Sequence, residues 1–331
     1  MALSPEKTLS PDAQESAEAA LPEPVCVLTF NACDPSGASG LTADIATISS
    51  VGGHPLTVVT ATYVRDTSRI FEHYALDDEW VTEQARTVLE DLPVKAIKVG
   101  FAGSAETLSN IAEIATDYPE IPIISYMPDL SWWDDDRQEQ YLDAFAELVL
   151  PQTSVLVGNH GTLWRWLLPD WSHSRPPTAR DIAMAAQEKD VPYVLVTGIP
   201  LPGQFVDNVL TSPESVIGSS KFEVFDGSFI GAGDTLSAAL TALVASGNDL
   251  GAATQEALEY LDHCLDHGFR PGMGHYLPDR MFWAQPDEDA EDDDEVTAPD
   301  SAEGTEEQPS AAKPSSQSFE GFVMPSHDTK H

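Results

Sequence analysis

Late in the chain, a run of small residues ends in an acid and leads into an alanine-rich stretch. The run is Gly231, Ala232, Gly233, Asp234 and Thr235. Glycines allow backbone N–H groups to approach an anion closely, and a helix N-terminus adds a favourable dipole. A carboxylate at the same helix start can accept the proton of an alcohol. These groups together are what phosphoryl transfer to a hydroxyl requires, although Asp234 considered alone is equally an ordinary helix N-cap.

Alternating apolar runs and amphipathic stretches must position this acid. Short apolar runs predict strands at 25–31, 55–64, 96–99, 121–126, 154–157 and 193–197, with weaker strands at 206–210 and 222–225. Apolar residues three and four apart predict helices at 40–51, 78–92, 105–115, 136–150, 179–188, 235–245 and 252–267. Strands separated by such helices predict a mostly parallel sheet with helices on both faces. Ligands of these sheets bind beyond the carboxyl ends of the strands.

The charge is strongly acidic and unevenly distributed. Sixteen Lys and Arg against 55 Asp and Glu give a net charge of −39, which argues against nucleic-acid and membrane-surface partners. Residues 286–331 carry 14 acids and two bases, and residues 1–22 carry four acids and one base. Both segments are predicted to be disordered tails around one domain at 23–285, which keeps a net charge of −24. The C-terminal tail is interpreted as solubilising or, alternatively, as binding an unknown partner.

Nothing in the sequence indicates export or a metal centre. The N-terminal residues have no basic segment followed by an apolar one, and no apolar run is long enough to cross a membrane. The three cysteines, Cys26, Cys33 and Cys264, are too widely spaced for a metal site or a disulfide framework. These features predict a cytoplasmic protein, and they identify no metal ligands.

The run at 231–235, late in an alternating chain, resembles the signature of the ribokinase-like kinases. This resemblance implies a three-layer α/β/α sandwich with a mostly parallel central sheet. It also implies that Asp234 is the catalytic base and that the backbone of Gly231, Ala232 and Gly233 forms the anion hole. The resemblance further implies a homodimer, the common assembly of this fold.

Several other segments resemble hydroxymethylpyrimidine and phosphomethylpyrimidine kinases. They lie at 31–44, 51–54, 58–62, 98–101, 150–154, 235–240 and 272–275, and the resemblance covers about residues 25–285. It implies an ATP- and Mg²⁺-dependent kinase of thiamine biosynthesis. Such an enzyme phosphorylates the hydroxymethyl group, or the phosphomethyl form, of 4-amino-5-hydroxymethyl-2-methylpyrimidine, a small-molecule substrate.

The same resemblance implies roles for individual residues. Lys98 would screen phosphate charge, although it reads equally as an ordinary cation at a strand end. The substrate would be bound by Asp34, Gly37, Arg65 and Phe101. Asp34 also fits a purely structural role in the turn before Pro35. The nucleotide would be bound by Asn159, Thr197, Gly198, Thr235, Gly272 and Gly274.

The sequence departs from the pyrimidine kinases at several polar positions. Arg65 replaces a glutamine that contacts the pyrimidine, and a guanidinium cannot accept a hydrogen bond. Further departures lie at Ser125, Thr162 and Thr197, where the family has an acid, a glutamate and a lysine. The acid on the Mg²⁺ side is therefore lost unless Asp129 replaces it. Asp234 stands where these kinases usually carry cysteine.

These departures leave two alternative interpretations open. One is a kinase of the same fold for another substrate, such as a pyridoxal-like ring or a molecule whose anionic group pairs with Arg65. The other is a non-catalytic binding or regulatory homologue. Retention of the whole run from Gly231 to Asp234 argues for an active enzyme, because a protein without catalysis has no need of a base there.

Overall fold

The computed structural model describes residues 24–284, which lie within a unit spanning Met1–Gln285. The tails predicted at 1–22 and 286–331 lie outside the described residues. The described residues form nine strands: β1 (Cys26–Cys33), β2 (His54–Arg65), β3 (Ile70–Ala75), β4 (Val94–Val99), β5 (Ile123–Met127), β6 (Val155–Asn159), β7 (Tyr193–Leu201), β8 (Phe205–Thr211) and β9 (Val216–Glu223).

Eight α-helices alternate with these strands over the same residues. They are α1 (Gly40–Ser50), α2 (Asp78–Asp91), α3 (Ala105–Asp117), α4 (Asp135–Ala144), α5 (His160–Leu167), α6 (Ala179–Gln187), α7 (Ala232–Ala245) and α8 (Leu250–Asp266). A π-helical turn, Phe145–Val149, and a 3₁₀ turn, Leu150–Gln152, continue α4 towards β6.

All nine strands belong to one sheet in the order β3-β2-β1-β4-β5-β6-β7-β8-β9. The strands from β2 to β7 in this order are parallel, whereas β3 at one edge and β8 and β9 at the other run antiparallel to their neighbours. The carboxyl ends of the parallel strands therefore meet along one edge of the sheet. In particular, Thr29 of β1 pairs with Lys98 of β4 near that edge.

Helices cover both faces of the sheet and make the predicted three layers. One layer contains α1, α7 and α8, and the other contains α2 to α6. Parallel strands buried on both faces are continuously apolar, as β1 shows with seven buried residues in succession. A large apolar core lies under α2 to α6, and a second lies under α7 and α8. The ribokinase-like sandwich expected from the sequence is thus confirmed.

Every predicted strand and helix has a counterpart, but the patterns missed two elements. Strand β3 was missed because only His73 among its six residues is buried, so it shows no apolar alternation. Helix α5 was missed because its eight residues are too few for a clear helical period. Strand β9 begins at Val216, earlier than the predicted 222, because its first residues are mostly exposed.

The helices and the cysteines can be compared with the sequence predictions. No helix within residues 24–284 is both long and apolar enough to span a membrane. All three cysteines are free; Cys26 and Cys264 are buried and Cys33 is exposed.

Candidate active site

The predicted anion-binding run forms the beginning of α7. Gly231 is the N-cap and has φ of +83°, a left-handed conformation that glycine adopts without strain. A side chain at this position would overlap the carbonyl oxygen of Ala38. A side chain at Gly233 would overlap the ring and hydroxyl of Tyr126. Both glycines are therefore required by close packing.

Asp234, in the first turn of α7, is held by two donors from other elements. Its Oδ1 accepts hydrogen bonds from Asn31 Nδ2 at 2.8 Å and from Lys98 Nζ at 3.1 Å. Burial alone would raise the pKa of this carboxyl, but the Lys98 charge and the two hydrogen bonds outweigh it and lower the pKa. Asp234 is therefore ionised at neutral pH, as a proton acceptor must be.

Lys98 lies fully buried between two carboxylates. Its ammonium group pairs with Asp44 as well as with Asp234. Burial would lower the pKa of Lys98, but the two carboxylates outweigh it and raise the pKa, so the ammonium stays charged. This cation is hence fixed between Asp44 and Asp234, rather than projecting into solvent at the end of its strand.

Asp44, on α1, completes this buried network. Its Oδ2 accepts hydrogen bonds from Thr29 Oγ1 at 2.6 Å and from Asn31 Nδ2 at 3.0 Å. Burial, reinforced by the charge of Asp234, raises the pKa of Asp44 despite the opposing effect of Lys98. One cation and two carboxylates thus share a dry site, and the pKa values of the two acids move in opposite directions. Such divergence is typical of functional sites.

Asp234 opens into a cavity of about 370 Å³ beyond the carboxyl ends of the strands. Its lining includes Arg65, Tyr126, Asp129, Gly231, Asp234 and His275. A cavity of about 600 Å³ beside α5 and α6 is larger, but its lining is mostly apolar. Asp234 connects the buried network to the smaller cavity, whose lining also carries Arg65 and Asp129, so this cavity is the candidate active site.

Two of the predicted substrate residues, Asp34 and Arg65, pair with each other. The carboxylate of Asp34 accepts hydrogen bonds from the backbone N–H and hydroxyl of both Ser36 and Ser39, at 2.6–2.9 Å. Arg65 Nη1 lies 3.4 Å from Asp34 Oδ2 and donates to Ser39 Oγ at 3.0 Å. Asp34 thus has the contacts of a turn residue, while Arg65 lines the cavity. A direct contact of Asp34 with substrate stays a prediction.

The other two predicted substrate residues, Phe101 and Gly37, are not part of the cavity lining. Phe101 is 2 % exposed and packs against Tyr63 and Trp132, with ring centroids 5.6 and 5.7 Å away. These two neighbours line the cavity, so Phe101 supports the lining from behind. Gly37 has a φ of +75°, and its carbonyl accepts a hydrogen bond from Arg280.

The predicted nucleotide residues fall into separate groups. Asn159, the last residue of β6, pairs with Thr197 in the middle of β7, and Gly198 packs against the Asn159 amide. Gly272 and Gly274 lie elsewhere, against Thr67 in the turn between β2 and β3. The nucleotide roles of all these residues stay predictions.

Arg280 is a site residue that sequence reasoning missed. It is 7 % exposed, and its guanidinium donates to Thr235 Oγ1 at 2.9 Å and to the carbonyls of Gly37 and Ala38 at 3.3 and 2.6 Å. It therefore ties the loop before α1 to the first turn of α7. Burial lowers the pKa of Arg280. No motif surrounds this position in the sequence, so only the fold could reveal it.

Among the described residues, no three His, Cys, Asp or Glu side chains are grouped to hold a metal ion. Asp129 and Asp234 nevertheless line one cavity. Mg²⁺ in kinases is held mainly by substrate phosphates and water, with only one or two protein carboxylates. The residues present therefore fit a Mg²⁺ ion that arrives with a nucleotide.

The fold resembles solved kinases. A pyridoxal kinase from Staphylococcus aureus, solved with AMP-PCP and pyridoxal, gives a TM-score of 0.70 at 18% identity, covering 79% of this chain and 95% of that one. A phosphomethylpyrimidine kinase from Clostridium difficile gives a TM-score of 0.60 at 21% identity, covering 72% of this chain and 97% of that one. At such identities, these likenesses show the fold.

Sequence comparison is more specific. The hydroxymethylpyrimidine/phosphomethylpyrimidine kinase of Streptomyces coelicolor is 26% identical over 76% of this chain and 92% of its own length. A thiamine biosynthesis multifunctional protein, ThiED, of Corynebacterium glutamicum is 28% identical over 75% of this chain, which spans 32% of that longer protein. The sequence model of the family described as phosphomethylpyrimidine kinase matches residues 34–279, from the Asp34 turn to the residue before Arg280. The chain therefore belongs to the phosphomethylpyrimidine kinase family, whose members are phosphotransferases.

Proposed function

We propose that this protein is an ATP-dependent kinase of thiamine biosynthesis. Its substrate is 4-amino-5-hydroxymethyl-2-methylpyrimidine, phosphorylated at the hydroxymethyl group, or the phosphomethyl form of the same ring. The observation that carries this proposal is the ionised carboxylate of Asp234, which faces a cavity of about 370 Å³ beside the first turn of α7. The names of the pyrimidine kinases that match over most of the chain support the choice of substrate.

The site supplies each part of the transfer. Asp234 accepts the proton of the substrate hydroxyl as its oxygen forms a bond to the γ-phosphorus of ATP. The bond from that phosphorus to the β–γ bridging oxygen breaks, and ADP leaves with the electron pair. The N–H groups at Gly231, Ala232 and Gly233 stabilise the transferring group. Lys98 and Asn31 hold Asp234 ionised and in place.

Mg²⁺ accompanies the nucleotide in this proposal, with Asp129 as the candidate protein ligand at the cavity. When bound, the ion neutralises phosphate charge, which matters in a chain of net charge −39. Nucleotide binding by backbone N–H groups and Mg²⁺ requires no basic surface. By resemblance and composition, we place the enzyme in the cytoplasm as a homodimer.

One observation favours a second candidate substrate. Arg65, at the position of the family's glutamine, lines the cavity and carries a charge that Asp34 only partly offsets at 3.4 Å. A guanidinium suits a substrate that carries an anionic group better than it suits a neutral aminopyrimidine. The phosphomethyl form and pyridoxal-like rings with an acidic hydroxyl are therefore included in the test.

The test is phosphoryl transfer from ATP, in the presence of Mg²⁺, to the hydroxymethyl pyrimidine, its phosphomethyl form and pyridoxal. We expect product with at least one pyrimidine, and kcat at least about 10²-fold lower for Asp234→Asn, because a positioned base contributes 10²–10⁴-fold. Asp266→Asn, an exposed change on α8, is the matched control and should keep full activity. No product with any acceptor, or an Asp234→Asn enzyme as active as the wild type, would refute the proposal.

A further inference from the structure

Tyr126 projects from β5 towards the start of α7. Its neighbour Ser125 points to the other face, where its hydroxyl and Thr153 Oγ1 are 2.7 Å apart. Because side chains alternate along a strand, Tyr126 faces the helix layer that contains α7. Its ring and hydroxyl contact Gly233 so closely that any side chain there would overlap them.

The phenolic hydroxyl of Tyr126 makes no hydrogen bond with any residue in 24–284. Tyr126 lines the same cavity as Gly231 and Asp234. Its ring centroid lies 5.8 Å from Lys98 Nζ. The residue is half-buried, so its hydroxyl can meet a partner in the cavity. The hydroxyl is thus an unused donor beside Gly233, at the helix start whose N–H groups would hold a phosphoryl group.

The protonation state of Tyr126 is also set by the site. Burial, followed by the negative charge of Asp234, raises the pKa of the phenol well above its ordinary value. The hydroxyl therefore keeps its proton at any working pH, and it cannot act as a base. Its available chemistry is to donate a hydrogen bond to an anionic oxygen.

We infer that the Tyr126 hydroxyl donates a hydrogen bond to the phosphoryl group while that group passes from ATP to the substrate. The inference rests on the proposed function. The substrate oxygen bonds to the γ-phosphorus, the bond to ADP breaks, the substrate proton goes to Asp234, and Tyr126 retains its own proton. Tyr126 is thus a catalytic residue beside the backbone anion hole, at a strand end where the sequence lacks the family's carboxylate.

Tyr126→Phe tests this role because it removes only the hydroxyl and keeps the ring against Gly233. We expect kcat to fall by about 10²-fold, the usual loss for one donor to a transferring group, with the KM of the pyrimidine within twofold of wild type. The melting temperature should not fall, because the hydroxyl has no hydrogen bond to lose. Tyr193→Phe, at the exposed first residue of β7 and outside the cavity lining, should leave both quantities unchanged.

A binding measurement complements the kinetics. ADP with Mg²⁺ and aluminium fluoride places a planar, anionic group where the phosphoryl group passes. We expect aluminium fluoride to increase the affinity of the wild type for ADP. In Tyr126→Phe, this increase in affinity should be about 10²-fold smaller. The affinity for ADP alone should be the same in both proteins.

The outcomes separate this inference from the proposed function. If the wild type phosphorylates a pyrimidine and Tyr126→Phe retains its kcat within twofold, the inference is overturned and the function stands. A raised KM with unchanged kcat overturns it as well, because the hydroxyl would then bind only the ground state. If the wild type phosphorylates no pyrimidine, the proposed function fails, and the aluminium fluoride measurement decides the role of Tyr126. If aluminium fluoride tightens ADP binding equally in the wild type and in Tyr126→Phe, or does not tighten it in the wild type, the role inferred for Tyr126 is overturned.

Discussion

At the scale of single residues, the buried network around Asp234 combines stability with chemistry. Lys98 is fully buried and compensated by two carboxylates from different helices, α1 and α7. A buried ion pair adds little to stability compared with apolar residues, but removal of one partner leaves an uncompensated buried charge. The same contacts that keep Asp234 ionised thus make this part of the core sensitive to substitution.

Replacement of Lys98 by methionine tests that sensitivity. We expect the free energy of unfolding to fall by about 3–5 kcal/mol, because Asp44 and Asp234 lose the cation that pairs with both of them. Lys95→Met is the matched control: it lies on the same strand but is exposed, and it should change stability by less than about 0.5 kcal/mol. Urea denaturation at pH 7 measures both. Equal stability of the two variants would show that Lys98 is not needed to compensate the acids.

The sequence singled out Asp234 but not the residues that contact it. Asp234 and the glycines before it form a contiguous motif, so local residue types were enough. Asn31 and Lys98 were each part of a recognised segment, yet their convergence on Asp234 depends on the pairing of β1 with β4. Tyr126 and Arg280 are in contact with the motif only through long-range packing, over separations that no local pattern encodes.

At the scale of elements, α6 shows how one acid can fix a helix start. Asp181 and the N-cap Thr178 form a capping box, and Arg175 pairs with the same carboxylate at 2.7 Å. The hydrogen bond from Arg175, together with those from Thr178, lowers the pKa of Asp181 to about 2. Ionised Asp181 therefore stabilises the native state, and protonation must weaken this effect.

We expect Asp181→Asn to lower the free energy of unfolding by about 1 kcal/mol near pH 6, the usual value of a cap. A carboxyl with a lowered native pKa contributes stability above its ordinary value of 3.8, and the contribution is lost as the pH falls towards about 2. The difference from wild type should therefore shrink between pH 4 and pH 2. Glu188→Gln, at the other end of α6, is the control. A difference that persists unchanged at low pH would contradict this explanation.

Arg280 links elements that are far apart in sequence. Its three hydrogen bonds join the loop before α1 to α7. We expect Arg280→Met to lower the free energy of unfolding by about 2 kcal/mol, since strong hydrogen bonds are lost while the desolvation of a buried cation is relieved. The KM of the pyrimidine should rise more than kcat falls, because the loop with Asp34 loosens. Arg137→Met, an exposed arginine of α4 that pairs only with the exposed Asp134 among the described residues, should change neither quantity.

An Arg280→Lys variant separates charge from geometry. Lysine keeps the charge but cannot reach three acceptors with a planar fork. A KM of Arg280→Lys between those of wild type and Arg280→Met would indicate that the charge contributes to substrate binding. A KM equal to that of Arg280→Met would assign the rise in KM to the lost hydrogen bonds. Wild-type KM in Arg280→Met would refute the link between the two elements.

At the scale of the whole molecule, the sequence predicted the layer architecture well because parallel strands buried on both faces have a strong apolar signal. The apolar pattern did not predict the antiparallel edge strand β3 or the beginning of β9, because most of their side chains are exposed. Exposed edge strands are set by pairing with a neighbour rather than by their own pattern.

The acidity is a whole-molecule property with a measurable consequence. Residues 23–285 carry a net charge of −24, and self-repulsion of this size destabilises the compact state. Raising KCl from about 0.01 M to about 0.5 M shortens the screening length from about 30 Å to below about 8 Å, so repulsion weakens, whereas the buried Lys98 pairs are little screened. We therefore expect the melting temperature to rise by several degrees and to level off near the upper salt concentration. An equal rise of the melting temperature in KBr would assign the effect to screening. A melting temperature that continues to rise and depends on the anion, or one that falls, would contradict charge repulsion as the cause.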